Sequence, residues 1–373
     1  MNIFYNKEQA RLRAFWRILI QGLLFLLGTT VIGAVLGVAA IAIMAATGQA
    51  DLQLLTNEAA LTELILSLGG GWYFAINGIA TVVVIILTFL IAGWLLDRRK
   101  FSNFGFHFSK MWWLDMGFGL ALGAILMLFI FLVELAFGWI AIESFMQARD
   151  GSSFLSAILA SLVGFIAVGI YEEMLFRGYH LRNLAEGINW KFLGSQNALW
   201  IGFVLSSSMF GIAHATNPNA TWISTLNLVL AGLFLGLGFI LTGELAIPIG
   251  LHITWNFFQG SVFGFPVSGT NTSASFINIQ QGGADLVTGG AFGPEEGLIG
   301  ILTILLGSLI IIWYVKKTRG EVRLRTELAD YQKPEKRNKS GITETDLIKN
   351  DTVGDQISTR GDEVMDNPPD SNK

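Results

Sequence analysis

Charge is nearly absent from most of this chain. Of its 52 Asp, Glu, Lys and Arg residues, 24 lie between Lys316 and Lys373, which leaves 28 for the first 315 positions. Soluble domains carry charge on roughly a quarter of their residues. Here the fraction is 14%, against 52% hydrophobic residues and a mean hydropathy of +0.56. The first 315 residues cannot clothe a water-soluble globule. The fold class that follows is all-α, a polytopic bundle of helices in a lipid bilayer.

A helix crosses the hydrocarbon core in about 20 apolar residues, and eight stretches qualify or nearly do: 16–45, 73–96, 113–141, 154–176, 197–214, 222–242, 246–265 and 297–315. The first is far longer than the core of a signal peptide and reads as a retained span. Residues 51–70 are mixed, as expected for an amphipathic segment along the surface. The stretch from Pro266 to Pro294, rich in Gly, Ser, Thr and Asn, reads as a long flexible loop. Residues 320–373 are polar, poor in aromatics and expected to be disordered. The chain thus divides into N-terminal spans (1–150), a core (151–265), a loop with the last span (266–319) and a tail (320–373).

Basic residues set the orientation. With eight spans and a cytoplasmic N-terminus, 23 of the 24 Lys and Arg fall on the inner side, and only Arg149 falls outside. Long tails weigh little in this rule; without the tail the count is 11 against 1. Both termini are expected in the cytoplasm, most simply across the plasma membrane of a prokaryote. A net charge of −4 offers no basic face for nucleic acid. The absence of cysteine removes thiolate metal sites, disulfides and a cysteine nucleophile.

Against this background a few polar residues stand out, because a charge at mid-membrane is costly unless paired or functional. The fourth span ends in Tyr171-Glu172-Glu173-Met174-Leu175-Phe176-Arg177-Gly178. Glu173 and Arg177 are one turn apart in the favourable order for an ion pair. Glu172 lies about 100° round the helix, without a local partner. The fifth span carries Phe210 and His214, and the seventh carries His252 and Asn256. Such a set supplies a general base, an orienting imidazole and two donors for an oxyanion. Each member also has a structural reading: a neutralising intrahelical pair for Glu173 and Arg177, interhelical hydrogen bonds for His214, His252 and Asn256. Glu134, Asn227 and Gln259 match no motif and read as packing or cavity-lining residues, and His107 and His180 as solvated.

The three motifs, Glu-Glu-x-x-x-Arg, Phe-x-x-x-His and His-x-x-x-Asn, occur in order on separate spans. In this the sequence resembles the CAAX-protease and bacteriocin-processing (CPBP, or Abi) family of intramembrane glutamic endopeptidases, over roughly residues 150–260. The resemblance implies that Glu172, aided by His214, activates a water. It also implies that His252 and Asn256 hold the oxyanion, and that Glu173, Arg177 and Phe210 support them. A membrane-associated or lipidated peptide is the implied substrate, cut in a water-filled cavity open to the cytoplasm. No cofactor is expected, although a zinc-dependent version is an alternative. So are a non-enzymatic immunity or scaffold protein that binds peptides, and a transporter that uses the same residues as a proton relay. For Glu172 and His214 to meet in depth, the fourth helix must continue past Arg177 through His180 and Leu184 and turn near Leu193.

Overall fold

A computed structural model describes residues 2–46 and 58–331, without the side chains of 44 and 58–69. Its helices include α1 (Ala14–Ala46), α2 (Glu58–Ala92), α3 (Lys110–Ala136), α4 (Phe154–Glu173), α6 (Gly194–Ala213), α7 (Trp222–Thr242), α8 (Ala246–Asn256), the one-turn α9 (Asp285–Thr288) and α10 (Leu298–Arg319). Wider π-turns prolong three of them: Gly93–Asp97 after α2, Met174–Leu181 after α4, and Phe257–Val262 after α8. The short α5 (Arg182–Ile188) follows directly on the second π-turn, so the fourth helix runs unbroken from 154 to 188. The turn after it closes at Leu193. The architecture is an all-α membrane bundle. Among the described residues six helices are long and apolar enough to cross a bilayer; α6 and α8 are not among them.

Residues 51–57 and the tail from 332 onward, expected as surface segment and disorder, lie outside the described residues. Residues 58–69 are helical, and the helix kinks at Gly70, whose φ of 48° suits a residue without a Cβ. The kink leaves the Gly71 N–H free to donate to Asp150 Oδ2 at 2.8 Å.

Two sequence expectations fail near one another. The third span was to reach 141, and 266–294 was to be a loop without structure. Instead α3 ends at Ala136, Gly138 turns the chain at φ 71°, and Ile140–Ala148 forms β3, paired antiparallel with β4 (Ala274–Gln281). A left-handed glycine just past a helix is a common stop. The two strands then satisfy each other's backbone groups, which an isolated loop would leave to water. A small ribbon thus caps one end of the bundle.

Close helix contacts depend on glycine. A Cβ on Gly119 would lie 2.5 Å from the Ile247 carbonyl, one on Gly123 2.5 Å from that of Leu251, and one on Gly250 2.5 Å from that of Met116. α3 and α8 therefore meet backbone to backbone, the approach by which small residues drive helix association in lipid.

The bundle has two distinct ends. At one, a short N-terminal ribbon (β1, Tyr5–Asn6; β2, Arg11–Leu12) and the start of α1 meet the far end of the fourth helix. Arg11 Nη2 lies 2.7 Å from Glu186 Oε2, and Arg17 Nη1 lies 2.6 Å from Asp97 Oδ1. Arg99 also pairs with Glu186, and the Tyr331 ring stacks 3.3 Å from the Arg11 guanidinium. At the other end the β3–β4 ribbon meets the helix starts. There the Arg149 N–H donates to the Ser273 carbonyl at 2.7 Å, and the Asn217 amide donates to that of Ser268 at 3.0 Å.

Candidate active site

Glu173 is the hub of the buried polar contacts. It closes α4 with no exposed surface, and its Oε1 accepts from Arg177 Nη1 at 2.8 Å and from His252 Nδ1 at 2.7 Å. Arg177 reaches further: its Nη2 donates to the Gly232 carbonyl on α7 at 2.9 Å, and its guanidinium lies 4.5 Å from the centroid of Phe210 on α6. One charged pair thereby ties α4, α6, α7 and α8 together. Breaking such a buried pair by removing one partner typically costs about 3–5 kcal/mol.

Glu172, one position earlier, points elsewhere. Its Oε2 is buried, has no hydrogen-bond partner, and lies 3.9 Å from His214 Nε2 and 3.8 Å from His252 Nε2. Both imidazoles have their other nitrogen engaged. His214 Nδ1 donates to the Phe210 carbonyl at 2.8 Å, and His252 Nδ1 to Glu173. A carbonyl can only accept, so Nδ1 of His214 carries a proton, and in the neutral ring Nε2 is the acceptor turned toward Glu172. Phe210 also backs both rings, with centroids 4.8 Å from His214 and 6.0 Å from His252.

The three side chains border one cavity of about 710 Å³, which Asn256 also lines, one turn beyond His252. Glu172, His214, His252 and Asn256 are thus brought together from α4, the end of α6, and α8. The continuous fourth helix and the turn at Leu193 bring Glu172 level with His214. Glu173 and Arg177 lie behind this group and do not border the cavity. The cavity walls are apolar, with Phe165, Val168, Leu228 and Phe234 among them. Among the described residues no group of three or more His, Asp or Glu is arranged to hold a metal ion.

Three expectations for other residues need correction or detail. His180, expected in solvent, is 7% exposed and packs edge-on against Phe176 at 5.6 Å, because the helix carrying it stays inside the bundle. Asn227 and Gln259 are packing residues: the first donates to the Glu296 carbonyl and the second to that of Pro266, each at 2.6 Å. Glu134 is buried with neither carboxylate oxygen hydrogen-bonded. The extent of the cavity bears on the expected cytoplasmic opening. Toward the basic end the chain below Glu172 continues with the buried Phe176, Arg177 and Tyr179, while the cavity extends to Arg149, Asp150, Asn217 and 267–273 at the ribbon end.

One cavity residue escaped the sequence reading. Glu295 is 3% exposed, and its Oε1 accepts from the Ser268 N–H at 3.2 Å and hydroxyl at 3.4 Å. Burial pushes its carboxyl up to about 7, against the pull of those hydrogen bonds. Its only signal in sequence is a Pro-Glu-Glu-Gly run just before the last span.

Residues 154–258 match the family model of type II CAAX prenyl endopeptidase Rce1-like proteins. This stretch of the chain is Rce1-like. The matched segment contains all three motifs and ends in the π-turn after Asn256, so it agrees with the CAAX-protease family to which those motifs point. Neither a curated protein nor a solved structure matches the chain. The Rce1-like segment covers under a third of the 373 residues, and the ribbon, Glu295 and the N-terminal clamp on Glu186 all involve residues outside it.

Proposed function

We propose that this chain is an intramembrane endopeptidase that hydrolyses a peptide bond of a membrane-associated or lipidated substrate with a water activated by Glu172. The observation that carries the reading is the unpartnered Oε2 of Glu172, set 3.8 and 3.9 Å from two imidazole nitrogens on a shared cavity. The nucleophilic water, in this reading, is held between the Glu172 carboxylate and the two imidazoles, at an ordinary hydrogen-bond distance of about 2.8 Å from the carboxylate oxygen.

In this reading the Glu172 carboxylate takes a proton from that water as its oxygen bonds to the scissile carbonyl carbon. His214 orients the water through Nε2. The carbonyl electron pair moves onto oxygen, where Asn256 and His252 face it. Since His252 spends its Nδ1 proton on Glu173, donation from Nε2 requires a second ring proton. Collapse then breaks the C–N bond, and Glu172 returns the proton to the leaving amine. The protein is proposed to lie in a prokaryotic plasma membrane with both termini in the cytoplasm.

Glu172→Gln is nearly isosteric and removes only the base. With purified protein in detergent, a membrane-bound peptide and mass spectrometry of products, cleavage should fall by about 100-fold or more while membrane yield holds. His252→Ala and Asn256→Ala should each lower turnover by roughly 10- to 1000-fold. A chelator should leave the rate unchanged; loss of activity and its return with zinc would favour the metal-dependent version. Wild-type cleavage by Glu172→Gln would end the glutamate mechanism. Equal immunity phenotypes for wild type and variants would favour a peptide-binding scaffold.

A further inference from the structure

The cavity's position along the bundle says which side of the membrane feeds it. The cavity runs from the middle of the bundle toward one of its ends. The fourth helix (154–188) contributes Ser161, Phe165, Val168 and Glu172, from its first half to its midpoint; α7 contributes Leu228, Ala231, Phe234 and Leu235 around its middle, and α10 contributes Ile304 in its first half. α6 contributes Phe210 at its last turn, and the chain just beyond adds His214 and Asn217. The end it runs toward is the one that meets the β3–β4 ribbon. The opposite end carries Arg11, Arg17, Arg99 and Arg182 around Asp97 and Glu186, and none of those residues borders the cavity.

The ribbon end also frames a mouth. Arg149 is exposed and donates from Nη1 to the Thr272 carbonyl at 2.9 Å; Asn271 beside it is exposed as well. Asp150 binds the Gly71 N–H on the facing rim at 2.8 Å. Burial opposes its ionisation, yet hydrogen bonds from Ser152 and Gly71 hold its carboxyl below the ordinary value. A charged rim over apolar walls suits a polypeptide whose flank stays in water while an apolar stretch enters.

Basic residues tell the two ends apart. Among residues 2–46 and 58–331, Arg149 is the one Lys or Arg at the ribbon end; the others belong to the half that holds the Glu186 cluster. Cytoplasmic flanks of membrane helices carry the excess of Lys and Arg. We infer that the cavity opens to the extracytoplasmic side, so that its substrate is a polypeptide segment presented there, at or in the outer leaflet. A chain lipidated in the cytoplasm would arrive at the basic end, where the buried Phe176, Arg177 and Tyr179 stand between it and Glu172. The word substrate rests on the peptidase reading above; the direction of access does not.

The chain has no cysteine, so single cysteines report on access directly. Asn271→Cys marks the mouth, Val168→Cys the cavity wall, and Lys191→Cys, exposed at the basic end, is the control. Intact cells are treated with a small, membrane-impermeant thiol reagent, with and without permeabilisation. Labelling at 271 and 168 in intact cells, with 191 labelled only after permeabilisation, is the expected result. Labelling of 191 but not 271 in intact cells overturns the orientation. Labelling of 271 alone, with 168 reached only after permeabilisation or never, overturns the opening. Because 271 lies on the surface, its replacement is read even if the buried substitution at 168 harms yield. None of these readouts needs activity, whereas unimpaired cleavage by Glu172→Gln would sink the mechanism and leave the labelling pattern standing.

Discussion

Glu173 holds His252 by a 2.7 Å contact between Oε1 and Nδ1, and so fixes which imidazole nitrogen faces Glu172. The two acidic neighbours therefore divide the work. Glu173 faces inward and sets a ring; Glu172 faces the cavity and meets that ring's other nitrogen at 3.8 Å. The same Glu173 oxygen takes the guanidinium of Arg177, which makes the pair separable by mutation.

Glu173→Gln should lower cleavage by roughly 10- to 100-fold, since the amide is a weaker acceptor for the Nδ1–H that holds the His252 ring in place. The fall should be in kcat with KM little changed, a split that mere loosening of the bundle does not produce. Arg177→Lys keeps the charge but loses the planar fork that reaches both Glu173 and the Gly232 carbonyl. Its loss of activity should be partial, and that of Arg177→Ala greater, with a lowered melting temperature. Full activity in both Arg177 variants would remove the pair from the argument.

Glu295 gives stability a pH dependence whose sign is fixed. Its carboxyl titrates near 4.5 in the unfolded chain and at about 7 in the folded protein, so folding favours the protonated form. Its contribution is complete below about pH 4.5 and is lost as pH rises through 7. Thermal unfolding in detergent should show Glu295→Gln flattening the decline between about pH 5 and 7 and melting above wild type at pH 8. A variant whose melting curve tracks the wild type at every pH would show that Glu295 is already ionised at no cost.

Glycine packing between α3 and α8 should matter to the site, because α8 carries His252 and Asn256. Gly123→Ala would set a methyl 2.5 Å from the Leu251 carbonyl, and should destabilise by about 1–3 kcal/mol with a drop in turnover. Gly117→Ala meets nothing within 4 Å and serves as the control, expected to match wild type. Equal behaviour of the two would mean the helices part without consequence.

Helix count and the Glu173–Arg177 pair were legible because each depends on local periodicity, and the long fourth helix because Glu172 and His214 could meet only if it continued. A run of apolar residues gives a span, and a four-residue spacing gives a shared face. The Phe210 to His214 and His252 to Asn256 spacings were read in the same way. What escaped depends on pairing between distant segments. β3 and β4 are joined by a register that matches Ala148 with Ala274, and neither strand alternates apolar and polar residues strongly enough to be told from a span end or a loop. The grip of Arg11, Arg17 and Arg99 on Glu186 likewise joins three separate stretches of sequence. His180 was misjudged for the opposite reason: its polar neighbours suggested water, but the helix holding it stays packed.

The π-turn at Met174–Leu181 has a consequence for how this chain tolerates changes in length. A π-turn houses one residue more than the α-turn it replaces, so spare chain is stored between Glu172, fixed against two imidazoles, and Glu186, fixed among arginines. Elsewhere along 154–188 the loss or gain of one residue would swing everything beyond it by about 100°, taking one glutamate or the other off its partners. Within 174–181 the loss of one residue would return the turn to α geometry, and both ends would stay where they are. Natural variants that lack a single residue in this helix should therefore carry the difference there, next to Arg177.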